Sequence, residues 1–92
     1  MTLLEVIEKI ESFNEDDTIC AARPWTVHSE AVVGPGPDDG SLDGFQRMYG
    51  KDYFLEVSIV LDFMVDWKTA HGDSTNMKAA CERLIHYAEN DA

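Results

Sequence analysis

The sequence predicts an α+β fold in a single domain over residues 1–92. Its order is helix, strand, strand, strand, helix, helix, with a small antiparallel sheet carrying its helices on one face. Three observations lead there. Apolar residues recur at helical spacing near both ends of the chain, and short runs of alternating apolar residues lie between them. The stretch YFLEVSIVLDFMVDWK, Tyr53 to Lys68, changes its apolar period from two to 3.6 partway along.

The first helix places Leu3, Val6, Ile7, Ile10 and Phe13 on one face, with Glu5, Glu8, Lys9 and Ser12 on the other. Thr2 and Glu5 have the spacing of a capping box, so the helix starts at Leu3, and the polar run NEDD at 14–17 ends it. TICAA, Thr18 to Ala22, then alternates as a strand buried on at least one face, until Arg23-Pro24-Trp25 interrupts it. EAVV, Glu30 to Val33, reads as a second short strand that stops at Gly34.

GPGPDDGSLDG, residues 34–44, is dense in glycine, proline and aspartate and reads as a flexible surface loop. Phe45, Met48 and Tyr49 follow it, to cap the core edge or stand at a contact site. In the third strand Tyr53, Leu55 and Val57 alternate with Phe54, Glu56 and Ser58. From Ser58, a suitable N-cap, a helix puts Ser58, Asp62, Asp66 and Thr69 on one side and Val60, Leu61, Met64, Val65 and Trp67 on the other, and it fades at His71-Gly72. The last helix starts near Ser74 or Thr75 and turns Met77, Ala80, Cys81, Leu84, Ile85 and Ala88 inward. Three strands leave a sheet edge open or covered by a second chain, so a homodimer is the oligomer to expect.

Eighteen acidic against seven basic residues give a formal charge of -11. A phosphate backbone is repelled by such a surface, anionic lipid is disfavoured, and a basic protein is drawn in. Glu56, Asp62 and Asp66 cut the most apolar stretch short of the roughly 20 residues a membrane span needs. Glu5 and Glu8 stand where a signal peptide would be uncharged, which points to the cytoplasm, and Cys20 and Cys81 lack the paired spacing of a disulfide framework or metal site. Both fall on apolar patterns, where a thiol is a small hydrophobe rather than a nucleophile.

Several patterns bear on chemistry. Asp39, Ser41, Asp43 and Gly44 match the opening of a calcium loop, but Gly50 stands where the bidentate glutamate belongs, so a solvated turn is expected. GPGPDDG lacks the lysine of a phosphate-binding loop, and no cofactor is expected. His86 and Glu89, with Glu82 and Asn90, share one face of the last helix and supply the weakest of three readings, a metal-assisted enzyme, against the ordinary alternative of a solvated helix face. Phe63, Met64 and Trp67 supply the second, a small-molecule pocket between the sheet and the helix after Ser58. The first is a non-enzymatic binding surface for a basic partner, with Asp38, Asp39 and Asp43 around the aromatic anchors Trp25, Phe45 and Tyr49.

The segments YFLEVSIVLDF and RLIHYAENDA resemble those of small uncharacterised bacterial cytoplasmic proteins. In size and charge the chain is similar to small immunity proteins that neutralise basic toxins and to orphan domains of mobile gene cassettes. The resemblance implies a binding role and carries no catalytic residue onto this chain.

Overall fold

Thr2 opens the first helix as its spacing to Glu5 predicts. Its hydroxyl accepts from the Glu5 N–H at 3.2 Å, and the Glu5 carboxylate accepts from the Thr2 N–H at 2.8 Å. That exchange satisfies two backbone donors that the first turn leaves without helical partners. The computed structural model describes residues 1–72 and 76–91. Its elements are α1 (Leu3–Glu8, continued by a 3-10 turn Ile10–Ser12), β1 (Thr18–Ala21), β2 (Ala31–Gly34), α2 (Leu42–Tyr49), β3 (Asp52–Glu56), α3 (Val57–His71) and α4 (Met77–Asp91). The fold is α+β, with helices packed against a three-stranded antiparallel sheet of order β2-β1-β3.

β1 lies at the centre of the sheet and is buried at every position. Ile19 and Ala21 join Leu3, Val6, Ile7, Val57, Val60, Ala80, Cys81 and Leu84 in one apolar cluster, the side covered by α1, α3 and α4. Cys20 projects to the other side beside its cross-strand neighbour Tyr53. There the Phe45 ring of α2 lies 5.4 Å from that of Tyr53. α2 therefore covers the face opposite the three predicted helices.

The register between β1 and β3 shifts between Ile19 and Cys20. Leu55 faces Ile19 and Tyr53 faces Cys20, leaving Phe54 as the extra residue of a bulge. Strict alternation predicts Phe54 and Leu55 on opposite faces. The bulge instead brings both into the same cluster, Phe54 with no exposed surface and Leu55 with 1%.

α2 corrects the reading of residues 34–44 as loop throughout. Gly34 ends β2, and Ser41 caps a helix that takes in the last residues of that stretch, its hydroxyl accepting from the Gly44 N–H at 3.0 Å. Gly44 hides the helix from a compositional reading, and close packing explains why a glycine stands there: a Cβ would lie 2.7 Å from the Cβ and Cγ of Pro37.

Strand passes into helix at Glu56–Val57, as the change of period predicts. Glu56 rather than Ser58 holds the cap position, without a side-chain cap bond, and the Val57 N–H donates to the Asp17 carbonyl at 3.0 Å. Gly72, at φ +79°, makes the expected exit through a conformation open to glycine. The predicted start of the last helix at Ser74 or Thr75 lies outside the described residues. Asn76 Oδ1 accepts from the Ala79 N–H at 3.1 Å, the bond of an N-cap. Along the β2 side of the sheet the chain's own N-terminus takes up backbone groups, Ala31 N–H donating to Met1 O and Leu3 N–H to Ser29 O, each at 2.8 Å.

Two substitutions check this packing by urea denaturation. Phe54→Ala is expected to cost about 3–5 kcal/mol, the range for emptying a buried aromatic site. Gly44→Ala raises helix propensity by about 1 kcal/mol but presses on Pro37 at an overpacking cost of about 1–3 kcal/mol. The expected net result is lower stability, and a stabilised variant would mean that Pro37 yields freely.

Candidate functional site

The aromatic anchors expected at the surface are largely spent on packing. Trp25 is 8% exposed. Its indole N–H donates to the Ala21 carbonyl at 3.1 Å, and its ring meets Phe54 edge-on, with centroids 5.0 Å apart and planes at 88°. Phe45 is 6% exposed, against Tyr53. Tyr49 is half-buried, its hydroxyl donating to the Pro35 carbonyl at 2.5 Å and tying α2 to the segment after β2. Of the two roles expected for Phe45 and Tyr49, capping the core edge or standing at a contact site, the structure gives the first, and Trp25 turns inward as well: α2 and the loop after β1 fold back onto the sheet, a return with no local signal.

The three aspartates do stand exposed. Asp39 Oδ1 accepts from the Ser41 N–H at 3.0 Å, and this bond holds the Asp39 carboxyl below its ordinary range. Asp43 lies in the first turn of α2, where a negative charge suits the positive helix end. Between them is a residue that sequence reasoning passed over. Leu42 is 69% exposed, the largest exposure among the big apolar side chains described. Helical spacing alone would group it with Phe45 and Tyr49 and turn it inward, so only the position of α2 on the sheet reveals it.

Leu42 also forms one wall of a cavity of about 320 Å³. Trp25, Tyr53, Phe54 and Ala88 supply more apolar surface, and Arg23 and Asp52 supply the charge. The chain reaches Trp25 through a cis Arg23–Pro24 peptide bond. Arg23 lies over the Trp25 ring, its guanidinium carbon 3.9 Å from the centroid, and its Nε–H donates to Asp52 Oδ2 at 2.6 Å. The other Asp52 oxygen accepts from the Gln46 amide of α2. Four parts of the chain thus meet here: the exit of β1, the start of α2, β3 and the end of α4.

The expected pocket between the sheet and α3 takes a different form. Met64 is buried and lines a cleft of about 340 Å³ between α1 and α3, together with Ile7, Ile10 and Lys68. Phe63 and Trp67 stack on each other along α3, with centroids 5.7 Å apart, and His71 continues the stack 3.9 Å from Trp67. The Trp67 indole N–H is shielded and unpartnered among the described residues.

His86 and Glu89 line an open surface groove of about 510 Å³ beside Glu82, Lys78 and His28. The tertiary structure brings His28 to this groove from the loop before β2. Even so, no group of three or more His, Cys, Asp or Glu side chains among the described residues is arranged to hold a metal ion.

Cys20 and Cys81 are buried free thiols. Loss of solvation pushes Cys20 up to about 11, with Asp52 adding to the shift, and Cys81 up to about 12. No helix among the described residues is long and apolar enough to cross a membrane. No protein-family model matches the chain, and no curated protein or solved structure matches it significantly.

The thiols give a direct check. Ellman's reagent at pH 8 is expected to find no reactive thiol in the native protein and both once it is unfolded in guanidinium. Because the folded thiols titrate above their unfolded value near 9, the stability they contribute is complete below pH 9. It is expected to fall as pH rises through about 11 to 12, measured as a dropping midpoint in chemical denaturation.

Proposed function

We propose that this protein is a non-enzymatic binding module that docks a basic protein partner through the surface formed by Asp38, Asp39, Leu42 and Asp43. The observation that carries the reading is an exposed leucine set among exposed carboxylates, at the head of a helix anchored to the sheet by Phe45 and Tyr49. An apolar side chain on a rigid element supplies the contact that a partner desolvates, and the acids around it complement the partner's charge.

The exterior supports the same reading. Three ion pairs occur among the described residues, Met1 amine with Glu30, Arg23 with Asp52 and Lys68 with Glu11. With eighteen acids in the chain, most of the negative charge is left to act on its surroundings. Such a field accelerates encounter with a cationic protein and weakens with added salt. Trp25, Phe45 and Tyr49 enter this proposal as supports of the surface rather than as its contacts. A cytoplasmic setting with reduced thiols belongs to the same proposal.

Affinity capture from a bacterial lysate tests it. Wild-type protein on a resin is expected to retain a basic protein at low salt and release it at about 0.5 M salt, where the screening length falls to a few ångströms. The combined variant Asp38→Asn, Asp39→Asn, Asp43→Asn should retain at least tenfold less, whereas Glu15→Gln, Asp16→Asn, Asp66→Asn, which removes the same three charges elsewhere, should match wild type. Equal capture by both variants would reduce the effect to net charge alone and reject the surface.

A further inference from the structure

We propose that the cavity between Arg23, Leu42, Asp52 and Ala88 binds a free α-amino acid with an apolar side chain, held as the zwitterion. The inference does not rest on the docking surface, because the two use different side chains apart from Leu42. Its first support is size. A volume of about 320 Å³ lies near the low end for ligand cavities, roughly 300–1,000 Å³, which suits one small molecule and excludes a dinucleotide or a folded peptide.

The second support is the pairing of charges at the rim. Arg23 uses its Nε–H on Asp52, and its ring contact with Trp25 holds the guanidinium in place. The four N–H bonds on its terminal nitrogens have no protein acceptor among the described residues. Asp52 accepts one bond from Arg23 and one from Gln46, half of what a carboxylate can accept. A half-exposed donor fork therefore stands next to an acceptor with spare capacity. A ligand carrying a carboxylate and an ammonium on one carbon meets both needs.

The third support is the field of the whole molecule. A bare carboxylate must approach a chain of charge -11 against repulsion. A bare amine is attracted, but leaves the guanidinium fork without an anion. The zwitterion is neutral overall and satisfies both partners. Its side chain then falls against the exposed wall of Leu42, the Tyr53 ring and the exposed edges of Trp25 and Ala88, a mainly apolar lining.

Amide and indole chemical shifts of the labelled protein test this with three probes: L-phenylalanine, 3-phenylpropionate, which lacks the ammonium, and phenethylamine, which lacks the carboxylate. L-Phenylalanine is expected to shift the Trp25 indole and the amides of Leu42, Tyr53 and Phe54 saturably, and each analogue should bind about tenfold more weakly, the effect of one charged hydrogen bond. Arg23→Gln should lose about tenfold for L-phenylalanine without weakening phenethylamine, since it removes a cation beside Asp52. Leu42→Glu, at an exposed position that does not threaten folding, should weaken L-phenylalanine by loss of the apolar wall and 3-phenylpropionate still more, because the added carboxylate repels a net anion. The proposal is overturned if L-phenylalanine shifts none of these signals, or if phenethylamine binds as tightly, which would make the site a plain amine-attracting patch. Retained shifts in the Asp38→Asn, Asp39→Asn, Asp43→Asn variant would show that this pocket stands or falls separately from the docking surface.

Discussion

The arrangement depends on how β1 is paired. This strand is the centre of the sheet, with β2 on one side and β3 on the other, and all four of its residues are buried. Its register with β3 slips between Ile19 and Cys20. The slip places Phe54 and Leu55 together under α1, α3 and α4, and leaves Tyr53 on the opposite face to receive Phe45. A flat alternating strand would send Phe54 to the α2 face and deprive Trp25 of the ring it packs against.

From that pairing the rest of the surface follows. Trp25 is drawn inward by Phe54 and by the Ala21 carbonyl, and Arg23 is laid over its outer face. Asp52 begins β3 and so lies within reach of both Arg23 and Gln46. α2, tied down by Phe45 and Tyr49, then carries Leu42 to the rim of the same cavity. The docking surface and the cavity are two outcomes of one packing arrangement, sharing Leu42 as a border.

Much of the fold is legible in the residue order. The capping box at Thr2 and Glu5, the apolar stripe of α4 from Ala80 to Ala88, the burial of both cysteines and the passage from strand to helix near Glu56 all follow from spacing inside one segment. α2 is not legible in the same way. Gly44 weakens its propensity, and the reason for that glycine is Pro37, seven residues earlier and in contact only after the chain has turned. The candidate site is less legible again. Asp38, Asp39 and Asp43 are exposed as their chemistry suggests, while Trp25 and Phe45 are buried by partners on other elements.

By itself, the sequence determined the α+β class, the outer helices, the inert thiols and the acidic exterior, because each arises from residue type and from repeats within a few turns of chain. Tertiary structure decided the bulge at Phe54, the existence and placement of α2, the burial of Trp25 and the meeting of Arg23 with Asp52. Arg23 and Asp52 are 29 positions apart. Nothing in the local spacing of either residue specifies the other; the sheet register and the fold of the loop after β1 bring them together.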